Sequence, residues 1–270
     1  MMAQLQIARI GALTLSYRER GSGTPVMLIH GLGGSSQSWS KVQDAFLADA
    51  RMVAWDAPGY GSSPDLLVEK PTVDDYVRPL IALMRHLELG RAHVVGHSMG
   101  ALMVTRLANL APDLVASLCL VHPVLGLGRL PAEKREEMRA ARLRDFDSLG
   151  PVEFAKQRSR GILGRKVSEE ALAASVRISE QVSPSAYRHA WEMMVGENIL
   201  PEAQKIRVPT LIISGSDDPV ASPAACTELA QAIPDAMLIE VEGVGHNVMI
   251  EATDQFERLY RDFLGAELAS

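Results

Sequence analysis

Two short runs near the amino end, "LQIARI" and "LTLSYRE", alternate apolar and polar residues and are separated by a glycine-containing turn. A period of two places one face of each run in a core, so the pair reads as an antiparallel hairpin. After it come short, unbroken apolar runs: "PVMLIH", then "RMVAWD" near residue 51, "AHVVG" near 92, "VASLCLVH" near 115, "PTLIISG" near 209 and "AMLIEV" near 236. A strand covered on both faces has no polar side to show, which is the condition of a strand inside a parallel sheet. Helical spacing of apolar residues appears in "SWSKVQDAFLA", "TVDDYVRPLIALMRHL", "MGALMVTRLANLA", "SPAACTELAQAI" and "DQFERLYRDFL". Strands alternating with helices imply right-handed crossovers and a mostly parallel central sheet with flanking helices, an α/β fold.

The alternation fails once. Between Pro123 and Pro201 no strand pattern occurs, while "PAEKREEMRAARLRDF", "PVEFAKQRSRGIL", "SEEALAASVRISEQV" and "SPSAYRHAWEMMV" all read as helices. We take residues 123–201 as a helical cap inserted into a core made of residues 1–122 and 202–270. Its expected place is over the carboxyl ends of the strands, where open α/β sheets hold their ligands. No repeat of fixed period and no low-complexity tract interrupts this plan.

Composition narrows the partners. A chain of 270 residues that is 47% apolar supports a large core. A formal charge of −6 without basic runs offers no footprint for a nucleic-acid backbone. The first residues lack the basic and apolar regions of a secretory signal, and no apolar stretch is long enough to span a bilayer, so the expectation is a cytoplasmic protein with no membrane partner. Cys119 sits in an apolar run and Cys226 in a helical pattern, where cysteine behaves as a small core residue. The seven histidines are scattered without metal-ligand spacing, so neither metal nor cofactor is expected. The partner expected is a small-molecule substrate; self-association into a homo-oligomer is left open.

The chemistry centres on "GHSMG" at residues 96–100, which follows an apolar strand pattern and opens a helical one. In that context G-x-S-x-G describes a sharp strand-to-helix turn that lifts a serine out of the sheet. Gly96 and Gly100 are expected to remove side chains that would collide with a serine held in a strained conformation. Ser98 then stands at the amino end of a helix, whose dipole favours developing negative charge; a helix-capping serine between chance glycines is the bland alternative. A serine nucleophile needs a base and a group to orient it. His246 fits the base, because "VEGVGH" places it in a glycine-rich loop after the last strand pattern. His97 adjoins the serine but is expected to point elsewhere, and His93 lies within the strand. His30, His86 and His189 read as loop, helix-surface and cap residues; His122, at a strand end before the cap, is expected to line the substrate cavity.

For the orienting acid, "SGSDDP" ends a strand pattern with Asp217 and Asp218, one of which suits turn formation and the other the histidine's far nitrogen. The order serine, acid, histidine is that of α/β-hydrolases and differs from the chymotrypsin and subtilisin orders. The loop "LIHGLGGSS" supplies close-approaching amides, and the backbone N–H groups of Leu32 and Met99 are assigned as the oxyanion hole.

Together "HGLGG", "DAPGYGSS", "GHSMG", "GSDDP" and "GVGH", in this order over nearly the whole chain, resemble the α/β-hydrolase superfamily, in particular bacterial members with a helical cap. The family's G-x-x-D pattern selects Asp218 over Asp217, so the resemblance implies a Ser98–His246–Asp218 triad. Thr253 stands near where many members carry proline, a departure that affects a helix start. The resemblance implies hydrolysis of a small ester, lactone or amide. Carbon–carbon hydrolases of ring-cleavage products come second, because Asn247 follows the histidine where that branch often has tryptophan. Haloalkane and epoxide hydrolases use an aspartate nucleophile, against which Ser98 argues. A ligand-binding receptor on the same scaffold is a third reading.

In the cap, Tyr187, Trp191, Met194 and Val195 share one helical face. Trp191 is placed as a wall of the substrate cavity, with plain packing of the cap on the sheet as its alternative. Arg142, Arg158 and Arg160 are candidates to pair a substrate carboxylate, against the ordinary fate of arginines on a solvated helix face.

Overall fold

The computed structural model describes residues 3–46 and 50–269. Eight strands form one sheet: β1 (Leu5–Ile10), β2 (Leu13–Arg20), β3 (Thr24–Ile29), β4 (Ala50–Trp55), β5 (Ala92–His97), β6 (Val115–Val121), β7 (Thr210–Gly215) and β8 (Met237–Val241). Their order is β1-β2-β4-β3-β5-β6-β7-β8. β2 runs antiparallel to both β1 and β4, and the pairings from β4 across to β8 are parallel. Burial follows the sequence pattern: the continuous apolar strands β5 and β7 are buried at every position, whereas β1, with its alternating pattern, lies at the sheet edge and is mostly uncovered.

The helices are α1 (Ser40–Ala45), α2 (Val73–His86), α3 (Met99–Leu110), α4 (Ala132–Ile162), α5 (Glu169–Ser179), α6 (Pro184–Gly196), α7 (Leu200–Ala203), α8 (Pro223–Ala232), α9 (Val248–Glu251) and α10 (Thr253–Ala269). Because side chains alternate along a strand, each central strand feeds two cores. Met27 and Ile29 of β3 face Leu80, Met103 and Leu229 on one side, within a cluster that also holds Cys226. Val26 and Leu28 face Trp39, Phe46, Phe256 and Tyr260 on the other, with Cys119. Both cysteines are buried and free.

Only helices, α4 to α7, lie between β6 and β7 among the described residues. α4 is broken at Gly150, where φ is 70° and Pro151 follows, so the two helical stretches read from the sequence keep separate axes. Phe146 and Tyr187 stack at 4.3 Å and Phe154 packs edge-on against Tyr187, giving these helices an aromatic centre of their own. The short helices α7 and α9 have no clear periodic signal, and the boundary drawn at Pro201 falls inside α7. No helix among the described residues is long and apolar enough to cross a membrane.

The loop after β3 is held by Asp56, buried at the end of β4. Its Oδ1 accepts the Ser36 N–H at 2.7 Å and its Oδ2 accepts the Ser16 hydroxyl at 2.7 Å, while the Ser63 hydroxyl donates to the Asp56 carbonyl at 2.7 Å. Removing the carboxylate strands a buried amide and a buried hydroxyl. At about 1–3 kcal/mol for each buried polar group left unpaired, Asp56→Ala is expected to lose about 2–6 kcal/mol. The check is a urea melt: an unchanged midpoint would show that the carboxylate does not fasten these loops.

Candidate active site

Ser98 joins β5 to α3 with φ 53° and ψ −113°, a conformation few side-chain-bearing residues adopt and one that costs about 1–3 kcal/mol. Its surroundings fix it there: Ser98 N–H bonds to the Val121 carbonyl at 2.9 Å, and Ala101 N–H bonds back to the Ser98 carbonyl at 3.0 Å. A Cβ on Gly96 would lie 2.7 Å from the Gly100 carbonyl oxygen and 2.6 Å from Val104; one on Gly100 would lie 2.8 Å from the Ile29 carbonyl oxygen. The nearest atoms that these glycines clear are the Gly100 backbone, Val104 and the end of β3.

The three residues brought together are those the motifs select. Ser98 Oγ lies 2.8 Å from His246 Nε2, and His246 Nδ1 lies 2.8 Å from Asp218 Oδ2, with all three side chains buried. With an ionised carboxylate opposite it, Nδ1 carries the proton, leaving Nε2 to accept from the serine hydroxyl. Asp218 Oδ1 accepts the backbone N–H groups of Val220 at 2.7 Å and Ala221 at 3.0 Å. Asp217 turns outward and forms a two-pronged ion pair with Arg165.

His122 does not line the cavity as expected. Its side chain is fully enclosed: Nδ1 donates to Asp218 Oδ2 at 3.0 Å and Nε2 accepts the Val248 N–H at 3.3 Å. The backbone explains the difference, because a positive φ of 47° at His122 turns the ring beneath the sheet ends toward Asp218. His97 also has a partner that its sequence position conceals: Nε2 donates to the His246 carbonyl at 2.7 Å. His246 is also held by the helices between β6 and β7, since its N–H bonds to the Ile162 carbonyl at the end of α4 at 2.8 Å. Glu251 closes this clamp, accepting from Gly164 N–H at 2.7 Å, Gly245 N–H at 3.1 Å and Asn247 N–H at 2.9 Å. The only sequence signal for Glu251 is an acid five residues after the histidine.

A cavity of about 380 Å³ opens at Ser98 and is lined by Leu32, Met138, Arg142, Arg158, Trp191 and Met194, among others. Trp191 and Met194 face it, whereas Tyr187 packs inside the cap, so the helical stripe serves both readings. The loop carrying Leu32 presses on the serine: a Cβ on Gly31 would sit 2.8 Å from Ser98 Cβ. Met99 opens α3, where backbone N–H groups have no acceptor within the helix. Ligand atoms of His122, Asp218 and His246 lie within 4.8 Å of one another. They already bond to each other, to Ser98 and to Val248, so a cation there would displace the bonds that define the site.

The sequence family described as alpha/beta hydrolase fold matches residues 24–253. The chain belongs to this family and is a hydrolase. It is 27% identical to the (E)-2-((N-methylformamido)methylene)succinate hydrolase of Acinetobacter baylyi, over 93% of this chain and 94% of that protein. It is 29% identical to the dihydrolipoyllysine-residue acetyltransferase component of the acetoin cleaving system of Pseudomonas putida, over 96% of this chain and 69% of that one. Among solved structures, the enol-lactonase from Burkholderia xenovorans LB400 superposes with a TM-score of 0.82 at 26% identity, covering 96% of this chain and 100% of that one.

Protonation follows from burial. His30, His93, His97 and His246 are all held below the ordinary histidine value, in each case chiefly because burial disfavours the charged ring. For His246 the bond and charge of Asp218 oppose the shift without cancelling it. Burial also works against charge on Asp218, but the bonds from His122 and His246 outweigh it and hold the carboxyl far below its usual range. A histidine with a depressed folded pKa binds fewer protons in the folded state, so its contribution to stability is present above about 6.5 and is lost as pH falls through the folded value. Unfolding free energy from urea melts is therefore expected to fall as pH drops from 7 toward 5.5, above the carboxylate range. A flat profile over that window would show that these rings are not held neutral.

Proposed function

We propose that Ser98, His246 and Asp218 are the catalytic triad of a cofactor-independent serine hydrolase that cleaves a small ester, lactone or amide. The observation that carries this reading is the continuous pair of 2.8 Å bonds from a strained serine through a neutral imidazole to a carboxylate. Ser98 Oγ attacks the acyl carbon as its proton passes to His246 Nε2, and the carbonyl electrons move onto oxygen. Asp218 stabilises the imidazolium that forms. Leu32 and Met99 N–H groups receive the oxyanion, helped by the amino end of α3. Collapse breaks the bond to the leaving group, which takes the proton from Nε2. Water then adds to the acyl-enzyme, gives its proton to His246, and a second collapse returns that proton to Ser98 and releases the acid.

Relatives named for hydrolysis of a substituted succinate and of an enol-lactone support acyl chemistry on a small molecule. A strained serine bonded to a neutral base is an arrangement suited to nucleophilic attack, which favours an enzyme over a passive receptor. Ser98→Ala is expected to lower turnover of p-nitrophenyl acetate by at least about a thousandfold, and a fluorophosphonate should label Ser98 in the wild type only. Equal turnover, or a label mapped to another residue, would refute the assignment. Because the base must be unprotonated and His246 is depressed, the acid limb of kcat/KM should have its midpoint below about 6.5. A midpoint above that value would mean that Asp218 dominates over burial.

A further inference from the structure

Charged side chains along the cap mostly find partners. Arg139 pairs with Glu136 and Glu192, Arg188 with Asp147, and Arg129, at the cavity wall, with Glu228. Arg160 and Arg144 are exposed to solvent. Arg142 and Arg158 differ: both are partly buried, both line the cavity that contains Ser98, and among the described residues neither makes an ion pair or hydrogen bond. The Arg142 guanidinium lies over the Trp191 ring at 5.7 Å, which orients it without neutralising it. No aspartate or glutamate lines this cavity. A more open recess of about 580 Å³ shares Arg142, Arg158, Pro219 and Val220 with it, so the two guanidinium groups stand on the wall between solvent and nucleophile. The acid of that recess, Asp145, is exposed and forms no ion pair with either arginine.

Two like charges partly desolvated on the walls of one cavity repel each other and carry a desolvation cost. Burial pushes Arg158 below the ordinary arginine value and Arg142 adds to the push. A chain gains nothing from this arrangement unless an anion completes it. Guanidinium groups match carboxylates in shape and can hold them through two parallel bonds.

We propose that Arg142 and Arg158 form a carboxylate subsite beside Ser98, so that the substrate is a small ester, lactone or amide bearing a free carboxylate. This rests on the reading of Ser98 as nucleophile, and the experiment separates the two. Wild type is assayed with p-nitrophenyl hemi-esters of succinic, glutaric and adipic acids against neutral p-nitrophenyl esters of equal length. A second series, 4-acetoxybenzoate against phenyl acetate, places the charge on the leaving group. In one series or the other, kcat/KM for the charged ester should exceed that for its neutral counterpart on the order of 10- to 100-fold, the worth of a charge-assisted bond. That ratio should fall toward unity in Arg158→Met and drop in Arg142→Met, while Arg158→Lys, which keeps the charge, should retain part of it. Circular dichroism excludes misfolded variants, and either methionine variant alone suffices. Binding of glutarate to Ser98→Ala by calorimetry, weakened by the added Arg158→Met change, gives a readout that needs no turnover. Neutral esters turned over without a charge preference in either series, or a preference unchanged in both methionine variants, would overturn the subsite and leave the triad standing. Absence of serine-dependent turnover would instead sink the triad, with glutarate binding then deciding the subsite.

Discussion

The carboxylate of Asp218 is the constraint on which the site depends. It is buried and accepts four hydrogen bonds, from His246, His122 and the amides of Val220 and Ala221. An ionised carboxylate so enclosed is tolerable only when its lone pairs are filled, and each hydrogen bond to such a charged group contributes about 1.5–3 kcal/mol. Its presence decides which nitrogen of His246 carries the proton, and that decides whether Ser98 has a base. The neighbouring rings are settled in the same way. Val248 N–H at His122 Nε2 puts the His122 proton on Nδ1, and the Ala57 N–H at His30 Nε2 does the same for His30, while the His246 carbonyl puts the His97 proton on Nε2. The His97 and His246 rings pack with centroids 5.0 Å apart, a contact suited to neutral rings, and burial lowers the pKa of both.

Holding the base is shared with the inserted helices. The Ile162 carbonyl, the Gly164 amide and the bridging Glu251 carboxylate tie the end of α4 to the loop that carries His246. The far part of the same insertion contributes Trp191 and Met194 to the cavity wall. One segment therefore shapes the substrate pocket and fixes the angle of the imidazole. A rearrangement of the α4 end would disturb the base before it opened the pocket.

Strand and helix positions were legible because burial on two faces, or on one stripe, leaves a period in the sequence. The triad was legible because its turn requires glycines at fixed offsets, and because reactive groups sit where strands end. What escaped depends on side-chain direction across distant segments. Nothing local to His122 announces that a positive φ turns its ring from the cavity to Asp218. His97 reads as a neighbour of the nucleophile, yet its partner is a carbonyl 149 residues away. Glu251 bonds to backbone amides, which carry no residue-specific signature, and Asp56 bonds to one amide and to the hydroxyl of Ser16, 40 residues away. The arginines were visible as a group, but which of them lack carboxylates is decided by how the broken α4 lies against its neighbours.

Arg158 also links the proposed subsite to the base. Its positive charge is one of the influences that lower the proton affinity of His246, though burial is the largest of them. This helps to keep the imidazole neutral and ready to accept, at the expense of its strength as a base. In the proposed subsite, a carboxylate docked on Arg158 would offset that charge, so the proton affinity of His246 would rise with it. General-base catalysis gains from a base whose pKa approaches the working pH. An unpaired arginine near a buried histidine would thus let the anion that it selects strengthen the base, without any movement of Ser98, His246 or Asp218.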